Sequence, residues 1–307
     1  MAPEMHDRIR SNADHLQKAS TRARVRRLVD RPIISPDLSP GIGSNINGPS
    51  LIRVPDWVPD PLGRYYLYFA SHYGDHIRLA HADELAGPWR IFEPGVLHVT
   101  ESHFIDHIAS PDVFVDEERR EIRLYYHGVV DAFSNQKTRV ALSRDGLRFE
   151  ADPAILMDWY ARVFRWDGMV HAMTMPGTMW RSGDGLSPFE RGPSLFTPQM
   201  RHSAVRVRGD ELDIYYTNRG DCPESIIATT LDLRPDWMSW SVEPGAVILS
   251  PERPYEGSEL PLAASEMGGV RHPVRQLRDP AVFEEDGRTY LLYAAAGEAG
   301  ICIAELL

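Results

Sequence analysis

One phrase of short strands is written into this chain five times, and that repetition limits the fold more than any single motif does. Each copy runs a short first strand, a charged turn, a second strand and a third. The first strands are residues 48–54, 110–115, 161–166, 202–207 and 279–283. The second strands read RYYLYFA from Arg64, IRLYYHG from Ile122, MVHAMTM from Met169, LDIYYTN from Leu212 and TYLLYAA from Thr289. Third strands follow as HIRLAHA, KTRVALS, GTMWRS, SIIATTL and GICIAEL. Four copies continue into a turn with an aromatic: Ala86-Gly87-Pro88-Trp89, Asp145-Gly146 before Phe149, Asp184-Gly185 before Phe189, and Asp236-Trp237 before Trp240. Short apolar or alternating strands punctuated by Gly, Pro and Asp suit four-stranded antiparallel blades, so the expected fold is all-β, a five-bladed β-propeller.

The fifth copy stops at Leu307 after its third strand. Its outer strand is expected from Arg31-Pro32-Ile33-Ile34, which would close the ring and remove an exposed sheet edge. Upstream, from about Ser11 to Val29, apolar or small residues at Ala13, Leu16, Ala19, Ala23 and Leu28 suit a helix. Arg22, Arg24, Arg26 and Arg27 then form its solvated face. The expected organisation is an N-terminal helical extension over residues 1–30 and a propeller over residues 31–307.

A chain of 307 residues with 43% hydrophobic and 25% charged content can fill one closed all-β domain. Its net charge of −11 argues against a nucleic-acid partner, which needs a positive surface. Cys222 and Cys302 make neither a metal-ligand spacing nor a disulfide framework, and both read as buried thiols. No apolar run reaches about 18 residues, so no membrane partner is expected. The first residues lack the apolar core of a secretory signal, and a cytoplasmic location is expected.

In a propeller the first strand of each blade lines the central channel, so residues where those strands begin converge from five stretches of sequence. Here they are Asn45 and Asn47; Asp106 and His107; Tyr160 and Arg162; Arg201 and His202; Arg278 and Asp279. A channel serving structure alone is filled at less desolvation cost by apolar side chains, so this polar centre points to a polar ligand, with a small carbohydrate the natural candidate. Asn47, His107, Tyr160, Arg162, His202 and Arg278 are the candidate substrate-binding residues, and Trp159 a candidate platform for a sugar ring. His72 and His127 follow second strands, at the pocket rim or at a surface turn. No cofactor is expected, and no pattern indicates a channel-bound cation.

Three phrases, Arg278-Asp279-Pro280-Ala281-Val282-Phe283, Ala109-Ser110-Pro111-Asp112-Val113-Phe114 and Ala86-Gly87-Pro88-Trp89, resemble the blade signatures of five-bladed propeller glycosidases. These are the arabinofuranosidase and β-xylosidase family (glycoside hydrolase family 43) and its invertase and levanase relatives. The resemblance implies a glycosidase acting on a small glycoside or oligosaccharide. It also implies an Asp before the Pro of the first blade, where this chain has Gly48, and the second blade has Ser110 before Pro111. The third blade offers no matching acid, and only Asp279 keeps the Asp-Pro pattern. Glycoside hydrolysis normally uses two carboxyl groups about 5–9.5 Å apart. Asp279 is the first candidate, with Asp106 or Glu266 as its partner; Glu266 lies in a Gly- and Pro-rich insertion, residues 255–276, expected to cover the pocket, together with Glu259. A glycoside phosphorylase using a basic phosphate pocket, a uronate lyase, and a non-catalytic sugar-binding propeller are the competing readings.

Overall fold

The computed structural model describes residues 24–133 and 135–307. Strand β1 (Val25–Arg27) comes first in the chain but belongs to the last blade. Blade one holds β2 (Asn47–Arg53), β3 (Tyr65–Ala70), β4 (His76–Ala82) and β5 (Arg90–His98). Blade two holds β6 (Ile108–Asp116), β7 (Glu121–Val129) and β8 (Gln136–Ser143), with β9 (Glu150–Ala151) and β10 (Met157–Asp158) both paired to β8. Blade three is β11 (Arg162–Trp166), β12 (Met169–Thr174), β13 (Thr178–Ser182) and β14 (Glu190–Ser194). Blade four is β15 (Met200–Arg208), β16 (Glu211–Asn218), β17 (Ile226–Asp232) and β18 (Ala246–Leu249). Blade five is β19 (Arg278–Glu285), β20 (Arg288–Ala295), β21 (Gly300–Leu306) and β1. The chain is a five-bladed β-propeller, and the expected inner, second and third strands recur in every blade.

The second strands are buried on both faces because each blade is packed between two others. In β3, Tyr65, Leu67 and Phe69 pack toward blade five while Tyr66 and Tyr68 pack toward blade two. One apolar cluster fills each of the five blade interfaces. The repeated Asp-Gly phrase has a structural cause. Tyr68 of blade one donates to the Gly146 carbonyl of blade two at 2.9 Å, and Tyr125 of blade two donates to the Gly185 carbonyl of blade three at 2.9 Å. Both glycines have φ of +74°, and a Cβ on either would stand 2.7–2.8 Å from the tyrosine hydroxyl. Asp145 and Asp184 close these turns by accepting from the backbone amides of residues 147–148 and 186–187.

The ring is closed by the N-terminal segment, as expected, but by different residues. The outer strand of blade five is β1, with Val25 opposite Leu306 and Arg27 opposite Ala304. Arg31–Ile34 is not that strand; Ile34 makes only an isolated bridge to Ile301. The helix expected over Ser11–Val29 ends, in its described part, as this strand, because pairing with β21 satisfies backbone groups that a lone short helix would leave to water. The rest of that helix, residues 11–23, lies outside the described residues. The propeller thus begins ahead of residue 31. Helical structure among the described residues is confined to 3₁₀ turns, and no helix there is long and apolar enough to cross a membrane. Cys302 is buried as expected, whereas Cys222 is exposed in the β16–β17 turn.

At the axis each blade repeats one backbone irregularity. Gly48, Ser110, Tyr160, His202 and Asp279 stand at or just before the start of the inner strands, all with φ between 44° and 59°. The register shifts beside four of them, where the carbonyl of the following residue turns to the axis. Arg162 takes up those carbonyls. Its guanidinium donates to Pro49 O (3.3 Å), Pro111 O (2.9 Å), Ser203 O (2.8 Å) and Pro280 O (3.3 Å), one from each of the other four blades.

Candidate active site

The left-handed residue in each blade is the seed of the site. Four of the five are not glycine, and such strained positions gather where a protein must aim a group at a ligand. In blade one the position must stay small: a Cβ on Gly48 would lie 3.1 Å from the Ser110 backbone. The remaining three, Tyr160, His202 and Asp279, meet. The Tyr160 hydroxyl donates to Asp279 Oδ1 at 2.9 Å, the Tyr160 and His202 rings stack at 4.9 Å, and His202 Nδ1 stands 3.4 Å from Asp279 Oδ1.

Asp279 is 1% exposed, and its Oδ2 has no hydrogen-bond partner. Burial, then the nearby Glu298 carboxylate, push its carboxyl up to about 6, against the opposing pull of His72 and the Tyr160 hydroxyl. The same burial, followed by the Asp279 charge, holds the Tyr160 phenol well above its ordinary 10. His202 is held neutral by burial and by Arg201 and Arg278, and His127 is depressed to about 3 mainly by burial.

Above this trio opens a cavity of about 590 Å³, lined by His72, His107, His127, Trp159, Tyr160, Arg201, His202 and Arg219 among others. That is room for a sugar of one or two rings. Part of its wall comes from a single topological class, the turns between second and third strands, which an antiparallel blade places beside the start of its inner strand; the rest comes from the segments leading into the inner strands and from the insertion. Those turns supply His72, Asn135, Met175 and Arg219 to the wall. In blade five the equivalent turn supplies Glu298, which lies behind the wall. Its carboxylate meets His72 Nδ1 at 3.0 Å, Asn45 Nδ2 at 2.6 Å and Arg278 Nη1 at 3.0 Å. Burial alone would raise Glu298, but His72, Arg278 and Asn45 together hold it at about 2. His72 is raised in turn: burial opposes its charge, and the Glu298 carboxylate outweighs it.

The sequence candidates divide into three groups. His107, Tyr160, His202 and Trp159 line the cavity, with Asp279 directly behind Tyr160 and His202. Asn47, Arg162 and Arg278 stand one layer back: Asn47 Nδ2 donates to Asn45 Oδ1 at 3.1 Å and Glu298 Oε2 at 3.3 Å, beside His72, Arg162 plugs the axis, and Arg278 is fully buried between Gln276 and Glu298. Asp106 and Glu266 are outside the group. The Asp106 side chain is 76% exposed and only 3.8 Å from its neighbour His107, while Glu266 is exposed and reaches the site through its backbone carbonyl, which accepts from Arg201 at 2.7 Å. Glu259 is exposed as well. The insertion does form part of the wall, through Met267, Gly268 and Gly269. Glu298 and Arg219 were absent from the sequence candidates; their signal is position, in the second-to-third-strand turn of their blades. Among the described residues no cluster of His, Cys, Asp and Glu is arranged to hold a metal ion.

No protein-family model matches the chain. It is 34% identical over 298 residues to uncharacterized protein R118 of Acanthamoeba polyphaga mimivirus, covering 85% of this chain and 83% of that one. Among solved structures it superposes on a thermostable family-43 glycoside hydrolase with a TM-score of 0.61 at 15% identity, over 84% of this chain and 88% of that one. It is similar also to a β-xylosidase/α-arabinofuranosidase of the same family from a compost metagenome, solved with xylotriose (TM-score 0.63, 13% identity, 92% and 95% covered). An α-L-arabinanase of Cellvibrio cellulosa, solved with arabinohexaose, follows at a TM-score of 0.54 and 15% identity, with 84% and 90% covered. At these identities the likeness is one of fold.

Proposed function

Since the chain belongs to one family with mimivirus protein R118 and carries the propeller fold of the family-43 glycosidases, we propose that it is a glycosidase acting on a small glycoside in the axial cavity. The observation that carries this reading is the Asp279–Tyr160 pair at the floor of a sugar-sized cavity. With no Asp or Glu among the described residues of the cavity wall, the usual facing carboxylates are replaced. A phenol held against a buried carboxylate is the arrangement by which tyrosine serves as a nucleophile. Tyr160 Oη attacks the anomeric carbon as its proton passes to Asp279, and Arg162 Nη2, 3.5 Å from Oη, steadies the developing phenolate. His72, the wall imidazole raised by Glu298, gives its proton to the leaving oxygen. Water then displaces the sugar from Tyr160, which recovers its proton from Asp279, while the water's proton restores His72.

A panel of aryl glycosides tests this, assayed with and without inorganic phosphate. Tyr160→Phe and Asp279→Asn should each lose on the order of a hundredfold or more in kcat while remaining folded. A folded Tyr160→Phe protein working near the wild-type rate would remove tyrosine as the nucleophile. Turnover that requires phosphate would replace hydrolysis by phosphorolysis, the reading favoured by the arginines on the wall.

A further inference from the structure

The cavity wall is cationic in an acidic protein. The chain carries a net charge of −11, yet the cavity is lined by Arg201, Arg219 and four histidines, with no Asp or Glu among its described lining residues; the carboxylates of Asp279, Glu298 and Glu224 stand behind the wall. Arg219, half-buried in the β16–β17 turn, forms no ion pair among the described residues; its guanidinium meets only Met267 Sδ at 3.4 Å and Pro198 O at 3.5 Å. Arg201, 5% exposed at the start of β15, is fixed by the Glu266 carbonyl through Nη1. Its Nη2 makes only long contacts, 3.4 Å to Gly268 O and 3.5 Å to His202 Nε2, and Glu224 stands 3.7 Å from its Nε. The pocket-lining His127, buried on the neighbouring wall, leaves Nδ1 without a partner. A guanidinium taken partly out of water without a carboxylate, as Arg219 is, is a standing cost, and its planar fork matches a carboxylate or phosphate.

We infer that the sugar taken by this cavity is anionic, its carboxylate or phosphate seated on Arg219 and Arg201 against the apolar wall of Trp159, Met175 and Pro176. This rests on the reading of the cavity as a sugar site. An acid-free wall is what such a substrate requires, since a carboxylate facing it would repel its charge. The two guanidinium groups lie on one blade, so one face of the sugar is fixed by charge while the other rests on Trp159.

Binding to the full chain by calorimetry tests the inference without relying on turnover. The probes are methyl glucuronide and its neutral amide, glucose 6-phosphate and glucose, and inorganic phosphate alone. At least one acidic sugar should bind tenfold or more tighter than its neutral counterpart, and which one does so separates carboxylate from phosphate. Arg219→Gln should remove most of that preference at unchanged Tm, and Arg219→Lys should restore part of it. Equal binding of acidic and neutral forms, a preference untouched in Arg219→Gln, inorganic phosphate matching the sugar phosphate, or no binding by any probe would each overturn it. Anion-selective binding without glycoside turnover would leave this inference standing and remove the hydrolytic reading. Turnover of neutral glycosides without selectivity would do the reverse.

Discussion

Asp279 shows how one residue carries two opposed consequences of burial. Its carboxyl binds a proton more tightly in the folded chain, at about 6, than at its ordinary value of 3.8. Below pH about 4 both states hold the proton and nothing is lost. As pH rises from there through 6, the unfolded chain releases its proton first, so the folded state loses stability, on the order of 3 kcal/mol over that window. Asp279→Asn removes the titration while its amide oxygen still accepts from Tyr160. Thermal unfolding of both proteins at pH 4.5 and 7.5 should show the variant gaining relative to wild type as pH rises; a difference that stays constant would mean that Asp279 is ionised without penalty. The same carboxyl must be ionised to accept the Tyr160 proton, and His72 must be charged to give one. The pH profile of kcat/KM should therefore fall on the acid side near 6 and on the alkaline side above the ordinary histidine value of 6.5.

At the scale of an element, β1 is three residues long, and its backbone pairing with β21 is too little to explain why the ring closes there. Arg27 supplies the rest. It donates through Nε and Nη2 to Glu256 at 2.7 and 2.8 Å, and Glu256, fully buried, also accepts from the Tyr293 hydroxyl at 2.8 Å. Burial would raise the Glu256 carboxyl, but Arg27 and the hydrogen bonds around it hold it below its ordinary value. The strand that seals blade five is thereby tied to the start of the insertion that walls the cavity. Arg27→Met leaves a buried carboxylate unpaired and should cost about 3–5 kcal/mol. The double variant Arg27→Met, Glu256→Gln should recover much of it, because the charge has gone as well. Equal unfolding midpoints for Arg27→Met and wild type would show that the backbone pairing alone closes the ring.

At the scale of the whole molecule, Arg162 joins all five blades. Rooted in blade three, it satisfies a carbonyl from each of the others, at points where the bulged inner strands leave their ladders. It also pairs with Asp112 at 3.2 Å, whose second oxygen accepts from the Val163 amide at 2.7 Å. Orphaning buried carbonyls costs about 1–3 kcal/mol each where no water replaces the donor. Arg162→Gln, which reaches fewer of them, should lower the urea midpoint by an amount corresponding to roughly 3–6 kcal/mol, with the m-value unchanged. A midpoint within error of wild type would mean that the blades hold their places through the apolar interfaces alone.

What the amino-acid sequence determined by itself was the repeat: five inner, second and third strands, legible because a blade's pattern is local and each copy restates it. The Asp-Gly phrases, read as repeat markers, were the visible half of the Tyr68–Gly146 and Tyr125–Gly185 bonds. The inner-strand starts likewise pointed to Tyr160, His202 and Asp279, because a propeller brings those positions to one axis whatever their identity. Which strand closes the ring was decided by tertiary structure, since the buried partner of Arg27, Glu256, is 229 residues away. The same holds for the division of labour among the polar candidates. Asn47, Arg162 and Arg278 look alike in sequence to residues that face the cavity, and only the carbonyls and carboxylates gathered around them turn them into supports. Glu298 sits in an Ala- and Gly-rich turn that carries no motif; it becomes the counter-charge of His72 because the last blade returns to stand beside the first. Patterns of burial repeat with the backbone and can be read along the chain, whereas the charge a group carries depends on what surrounds it, and that is assembled only when the ring closes.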